Sequence, residues 1–223
     1  MLSFGIIEGG LDVVLRALIE AVGPEGTIAV PTYSYARGTV FNRATTPCYF
    51  VGAFSEHVRQ QPNAIRSRCP MFSHAAIGEK AKLLDEPDGR FAVGPGSDFD
   101  LLHREGFKLL LLGVTIGEGA AHGHHLEALA NVPYRQWYVF DRGVVDENGE
   151  IRKVKCHYYA RPDFEQRLYL DYFDPIEHSL NATGLITIVP APLGSSSFCS
   201  LEDFTTVGLN LLAEDPFALV RPS

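Results

Sequence analysis

The chain predicts an α/β or α+β fold, a mixed sheet with flanking helices and a strand-rich C-terminal half, on three observations. Apolar residues recur at helical spacing over Leu11 to Val22. The run Lys108 to Val114 is apolar almost throughout, the pattern of an inner strand of a parallel sheet. After Val132 the texture changes to short strand-like runs separated by a hairpin signal.

The elements follow in chain order. Leu11, Val14, Leu15, Leu18, Ile19 and Val22 make one helical stripe, opened by Gly9-Gly10 and closed by Gly23-Pro24. Gly26 to Thr32 reads as a short buried strand ending at a proline. A second helix is expected from about Gly52 to Arg59, and another over Ser73 to Leu84. Helices alternate with strands up to Val114. In the late half Trp137 to Phe140, Val144-Val145, Ile151 to Tyr159 and Leu185 to Val189 read as strands, with Asp146-Glu-Asn-Gly149 as a hairpin turn. There is no internal repeat and no low-complexity tract.

At 223 residues the chain can bury a sizeable core, as one domain or one domain with an appendage. Hydrophobic residues at 46% and charged residues at 21% exclude a disordered class. A net charge of −8 argues against a generic nucleic-acid binder and suits a cationic, amine-bearing substrate. Cys48, Cys69, Cys156 and Cys199 form no C-x-x-C pair, which predicts reduced thiols in a cytoplasmic protein. No apolar run reaches membrane-spanning length, and the first residues do not resemble a signal peptide. Asn181-Ala-Thr183 matches a glycosylation acceptor by chance.

Chemistry points to Glu118-Gly-Ala-Ala-His-Gly-His-His-Leu-Glu127, at the end of the apolar run. Ligand sites of α/β folds lie at such strand ends. In a helix starting here His124 and Glu127 share one face, and a carboxylate beside an imidazole fixes its tautomer for work as a general base. His122 and His125 read equally well as core or solvated neighbours. His-x-x-Glu lacks the second histidine of a zinc motif, so the site is expected to hold no metal; a metal-dependent hydrolase is the rival reading.

A series of motifs then carries a resemblance. Phe4-Gly-Ile-Ile-Glu-Gly-Gly10, Ala21-Val-Gly-Pro-Glu-Gly-Thr27, Val30-Pro-Thr-Tyr-Ser34, Val51-Gly-Ala-Phe-Ser-Glu-His-Val-Arg59, Arg66-Ser67, Pro70-Met-Phe-Ser73, Ala75-Ala-Ile-Gly78, Leu112-Gly113, His124-x-x-Glu127 and Val132-Pro-Tyr-Arg135 stand in that order. The series resembles the aminoglycoside 3-N-acetyltransferase family, closest to its branch associated with polysaccharide and natural-product amino sugars.

The resemblance implies one acetyltransferase domain over residues 1–223, moving acetyl from acetyl coenzyme A to the amino group of an amino sugar or aminoglycoside-like acceptor. It implies His124 and Glu127 as the catalytic pair. Ser3, Gly5, Gly9, Gly10 and Thr32 would meet the cofactor, and Tyr33, Arg66, Tyr134 and Arg135 the acceptor. The turn Val30 to Ser34 is a candidate source of oxyanion-stabilising N–H groups. No nucleic acid or membrane is expected as partner, and the strand-rich late half is a candidate dimer surface. Against the family pattern, the first N-terminal strand is expected to be missing, Cys69 stands where histidine or aspartate is common, and Ala121-His122 replaces a threonine-aromatic pair. A catalytically weakened relative that binds sugar or coenzyme A, or serves in assembly, is the alternative.

Overall fold

The computed structural model describes residues 6–35, 40–162, 168–191 and 194–223. The contacts of the described residues group into two compact units, each drawn from separate stretches of chain: within residues 7–101 and 138–158, and within residues 102–137 and 159–223.

The first of these units is organised by a three-stranded antiparallel sheet in the order β1 (Thr27–Pro31), β3 (His74–Gly78), β2 (Ile65–Arg66). Both faces of this sheet are covered. Val30, Ala75 and Ile77 pack with Leu15 of α1 (Gly10–Val22) and Val58 of α2 (Ala53–Arg59). On the other side Ala76 packs with Ala81, Leu84 and Leu101. The helix expected over Ser73 to Leu84 is therefore corrected: the stretch is β3 followed by a 3-10 helix, Glu79–Asp85. Gly78 explains the break. It sits at φ 124°, and a Cβ there would lie 2.1 Å from the Gly26 carbonyl oxygen, so neither a helix nor a larger residue fits where β1 and β3 meet. The long hairpin β5 (Gln136–Val145) and β6 (Ile151–Ala160) turns where expected, with the Gly149 N–H on the Asp146 carbonyl at 3.0 Å.

The other unit holds the sheet β4 (Lys108–Leu112), β9 (Gly194–Ser200), β8 (Thr187–Ala191), ordered β4-β9-β8. Here the inner parallel strand expected over Lys108 to Val114 is corrected. Within the described residues β4 is an edge strand, antiparallel to β9 from Lys108↔Ser200 to Leu112↔Ser196, and Leu110 is 42% exposed. Among the described residues parallel pairing is limited to two isolated bridges, both in the first unit, Phe41↔Val144 and Phe91↔His157. Among the described residues four helices belong wholly to this unit, α4 (Ile116–Gly119), α5 (His122–Ala130), α6 (Asp174–Ala182) and α7 (Leu201–Glu214), while α3 (Asp98–Arg104) is divided between the two units. Ser200 caps α7 by accepting from the Asp203 N–H at 2.9 Å. Gly208 lets α7 approach α5, since a Cβ there would meet Leu126 at 2.2 Å. Leu126, Ile176, Leu180 and Phe204 are fully buried. A short ribbon of β7 (Tyr169–Asp171) and β10 (Val220–Pro222) completes the unit. No helix among the described residues is long and apolar enough to cross a membrane.

Candidate active site

The segment after β4 folds as its local sequence dictates. Thr115 and Glu118 form a reciprocal capping box that starts α4, with the Thr115 N–H on Glu118 Oε2 at 3.0 Å. The chain then enters α5, where His124 and Glu127 stand one turn apart on the same face. His124 Nδ1 lies 2.7 Å from Glu127 Oε2; the histidine side chain is 24% exposed and the glutamate fully buried. Gly123 holds this face close to α6. A Cβ on it would meet three atoms of the Phe173 ring at 2.6–2.7 Å, and the same ring stands edge-on to His124 at 5.3 Å.

α5 ends at Asn131 in the left-handed region, φ 50°, and the chain turns through Val132-Pro133-Tyr134 to Arg135. Tyr159 braces that turn, its hydroxyl donating to the Val132 carbonyl at 2.9 Å. Arg135 then joins two carboxylates: its Nε is 2.8 Å from Glu127 Oε2 and its Nη2 is 2.8 Å from Asp171 Oδ1. Arg161 Nη1 reaches the same Asp171 oxygen at 3.1 Å. The other Asp171 oxygen lies 3.9 Å from His124 Nε2.

Electrostatics select the histidine tautomer. Burial pushes the Glu127 carboxyl up, but the His124 hydrogen bond and charge and the Arg135 guanidinium outweigh it and hold the group below the usual carboxylate range. An ionised Glu127 accepts from Nδ1–H more strongly than Nδ1 could accept from Arg135 Nη2, 3.1 Å away. The lone pair then sits on Nε2, the nitrogen nearest Asp171. The arrangement is one that can serve as a general base, with the accepting nitrogen oriented. Tyr134 lies against Glu127: burial and that carboxylate push its phenol well above the usual range, so it stays neutral. Its ring clusters with Tyr169 at 6.2 Å and Phe217 at 5.4 Å.

His124, Glu127 and Asp171 are also the group among the described residues whose ligand atoms could converge on a metal ion, all within 4.8 Å. Arg135 already lies against both of these carboxylates and Arg161 against Asp171. His122 and His125 belong to the core, 4% and 0% exposed, and His122 Nε2 meets Thr205 Oγ1 on α7 at 3.2 Å.

Thr32, Tyr33 and Arg66 gather in the other unit, and their polar atoms are turned inward. The Arg66 guanidinium, 4% exposed, donates to the Thr32 carbonyl at 2.6 Å, the Ser73 hydroxyl at 3.0 Å and the Thr46 carbonyl, and lies over the Phe41 ring. Burial lowers its pKa to about 10. Thr32 is fully buried with its hydroxyl 3.1 Å from that of Ser73. Tyr33, 6% exposed, packs edge-on to Phe72 at 4.7 Å. These three hold the turn after β1 together and offer little surface to a ligand. Cys69 is likewise packing: it is 1% exposed and burial raises its thiol well above the usual range. Gly9 and Gly10 open α1 with φ 79° and 63°. Ser3 and Gly5 lie outside the described residues.

Asp171 and Arg161 complete the His124 cluster yet carry no sequence signal. They reach it from 36 and 26 residues beyond Arg135, and a three-residue strand shows no periodicity to read.

The family model described as Aminoglycoside 3-N-acetyltransferase matches residues 1–213. Aminoglycoside N(3)-acetyltransferase III from a Salmonella species is 32% identical over 169 residues, 67% of this chain and 59% of that protein. A second Salmonella protein of the same name is 31% identical over 206 residues, 81% of this chain and 70% of its own length. The chain thus spans about 59% of the first relative. Among solved structures, aminoglycoside acetyltransferase AAC(3)-Xa superposes with a TM-score of 0.79 at 25% identity, covering 95% of this chain and 83% of that one.

Proposed function

This chain belongs to the aminoglycoside 3-N-acetyltransferase family, and from that premise we propose that it transfers acetyl from acetyl coenzyme A to an amino group of an amino sugar or aminoglycoside. The observation that carries the reading is the 2.7 Å contact from His124 Nδ1 to a buried, ionised Glu127, which leaves Nε2 open at a partly exposed position. The names of the relatives, all N(3)-acetyltransferases acting on aminoglycosides, supply the substrate class.

An ammonium group cannot attack a thioester; the free amine can. His124 Nε2 takes one proton from the ammonium and passes it to solvent; the free amine nitrogen then bonds to the acetyl carbon, His124 takes the second proton that this nitrogen loses, and the carbon–sulfur bond breaks as coenzyme A leaves as thiolate. That second proton is returned to the thiolate. Glu127 stabilises the imidazolium that forms in between. For the cofactor, the left-handed Gly9-Gly10 opening of α1 is the proposed contact, with Ser3 and Gly5 beside it in sequence, because glycines let backbone N–H groups approach a phosphate at a helix N-terminus. Thr32, Tyr33 and Arg66 are proposed to fix the turn after β1, and Tyr134 and Arg135 to act through Glu127. No metal takes part in this scheme. We place the enzyme in the cytoplasm, in keeping with four free cysteines, as a homodimer.

The experiment is release of coenzyme A thiol on mixing the protein with acetyl coenzyme A and a panel of aminoglycosides and simpler amino sugars, with the acetylated product read by mass. Acceptor-dependent thiol release supports the proposal; none from any amine rejects it. Metal analysis of the active protein and sedimentation address the other two points.

A further inference from the structure

We infer that Asp171 is the ammonium-recognising residue of this site, its carboxylate and His124 Nε2 bracketing the acceptor's amino nitrogen. The inference rests on the proposed acetyl transfer and assigns its acceptor contact. The two oxygens of Asp171 have different surroundings. Oδ1 takes Arg135 Nη2 at 2.8 Å and Arg161 Nη1 at 3.1 Å. Oδ2 faces His124 Nε2 across 3.9 Å, too far for a hydrogen bond between them.

A third atom fits that gap. A nitrogen about 2.8 Å from each, an ordinary hydrogen-bond length, closes a triangle on the 3.9 Å base. One N–H would donate to the carboxylate and another to Nε2. Both side chains are open to a ligand, at 24% and 35% exposure, whereas Glu127 and Arg135 are closed off at 0% and 5%. The chemistry also matches: an aliphatic amine reaches the site as a cation, because such groups titrate near pH 10. A carboxylate holds that cation and points one proton at the base. An alcohol gains no ion pair there, so Asp171 favours N-acetylation over O-acetylation.

A purely structural Asp171, serving only to anchor Arg135, makes a different prediction, and Arg161 separates the two. Asp171→Asn keeps an oxygen for the arginines and removes the charge. It should raise the acceptor KM, and the acceptor Kd by calorimetry, about ten- to hundredfold, the scale of one charge-assisted hydrogen bond, while kcat and the acetyl coenzyme A KM change less than about threefold. Arg161→Gln removes a competing cation from the same carboxylate and should lower the acceptor KM by about two- to fivefold. Both variants are read beside wild type with one aminoglycoside and acetyl coenzyme A.

A KM rise in Asp171→Asn with a KM fall in Arg161→Gln supports the assignment. Loss of kcat alone in Asp171→Asn, a KM within twofold of wild type, or a KM rise in Arg161→Gln overturns it and leaves acetyl transfer standing. If Asp171→Asn fails to fold, the direction of the Arg161→Gln change decides alone. Wild-type protein that neither binds nor acetylates any aminoglycoside overturns both this assignment and the reading on which it rests.

Discussion

Replacing Glu127 by glutamine tests the electrostatic heart of the site with the least change of shape. The carboxylate is fully buried and one oxygen, Oε2, takes both His124 Nδ1 at 2.7 Å and Arg135 Nε at 2.8 Å. An amide can keep one contact and cannot neutralise the guanidinium. Removing one member of a buried ion pair costs about 3–5 kcal/mol. Arg135 retains Asp171 at 2.8 Å, so the lower figure, about 3 kcal/mol, is expected. The folded-state pKa of Glu127 is lowered, so its contribution is present above the unfolded carboxylate value and is lost as pH falls through the folded one. Urea unfolding of wild type and Glu127→Gln at pH 7 and again in the acid range measures both effects. The variant should be less stable at pH 7, and the gap should narrow on acidification. Turnover should fall about ten- to hundredfold, less than on loss of the base itself, because the amide oxygen can still accept from Nδ1–H. Equal stability at pH 7 to within about 0.5 kcal/mol, or a gap that does not change with pH, would refute the claim that an ionised Glu127 holds this cluster together.

Other substitutions test other links. Gly123→Ala places a methyl within 2.6–2.7 Å of the Phe173 ring and should cost about 1–3 kcal/mol in unfolding experiments while lowering kcat through the displaced His124. Arg66→Met leaves the Thr46 carbonyl without its donor and the Thr32 carbonyl with the Ser73 hydroxyl alone, and should lower the melting temperature by several degrees, consistent with a cost of about 1–3 kcal/mol. Gly10→Val puts a β-branched residue at φ 63° in otherwise open space; calorimetry should show weaker coenzyme A binding with a loss of about 1–2 kcal/mol in stability, and unchanged affinity would move the cofactor elsewhere.

What the sequence disclosed follows its periodicity. The stripe of Leu11 to Val22 became α1 at Gly10–Val22, and the Asp146-Gly149 turn joins β5 to β6. His124 and Glu127 do share a helix face, because a three-residue spacing on any helix must bring them together. Two short apolar runs misled for one reason: such a run does not distinguish helix from strand, or an inner strand from an edge one. Residues 74–77 are buried like a helix core, and pairing with β2 and with β1, 43 or more residues earlier in the chain, makes the segment a strand. Lys108–Leu112 pairs with Gly194–Ser200, a partner that nothing near it in sequence announces. Arg135, expected at substrate, ties Glu127 to Asp171. The helix Leu201–Glu214 carried a readable start in Ser200 and Asp203.

The account's central claim is that His124, oriented by Glu127, removes the proton of an amine that acetyl coenzyme A then acetylates. Steady-state thiol release by wild type and His124→Ala, paired with calorimetric coenzyme A binding to both, tests it most directly. The account predicts a kcat lower by about two to four orders of magnitude in the variant, the usual scale of lost general base help, with coenzyme A affinity within about twofold of wild type. Wild-type turnover in His124→Ala would contradict it.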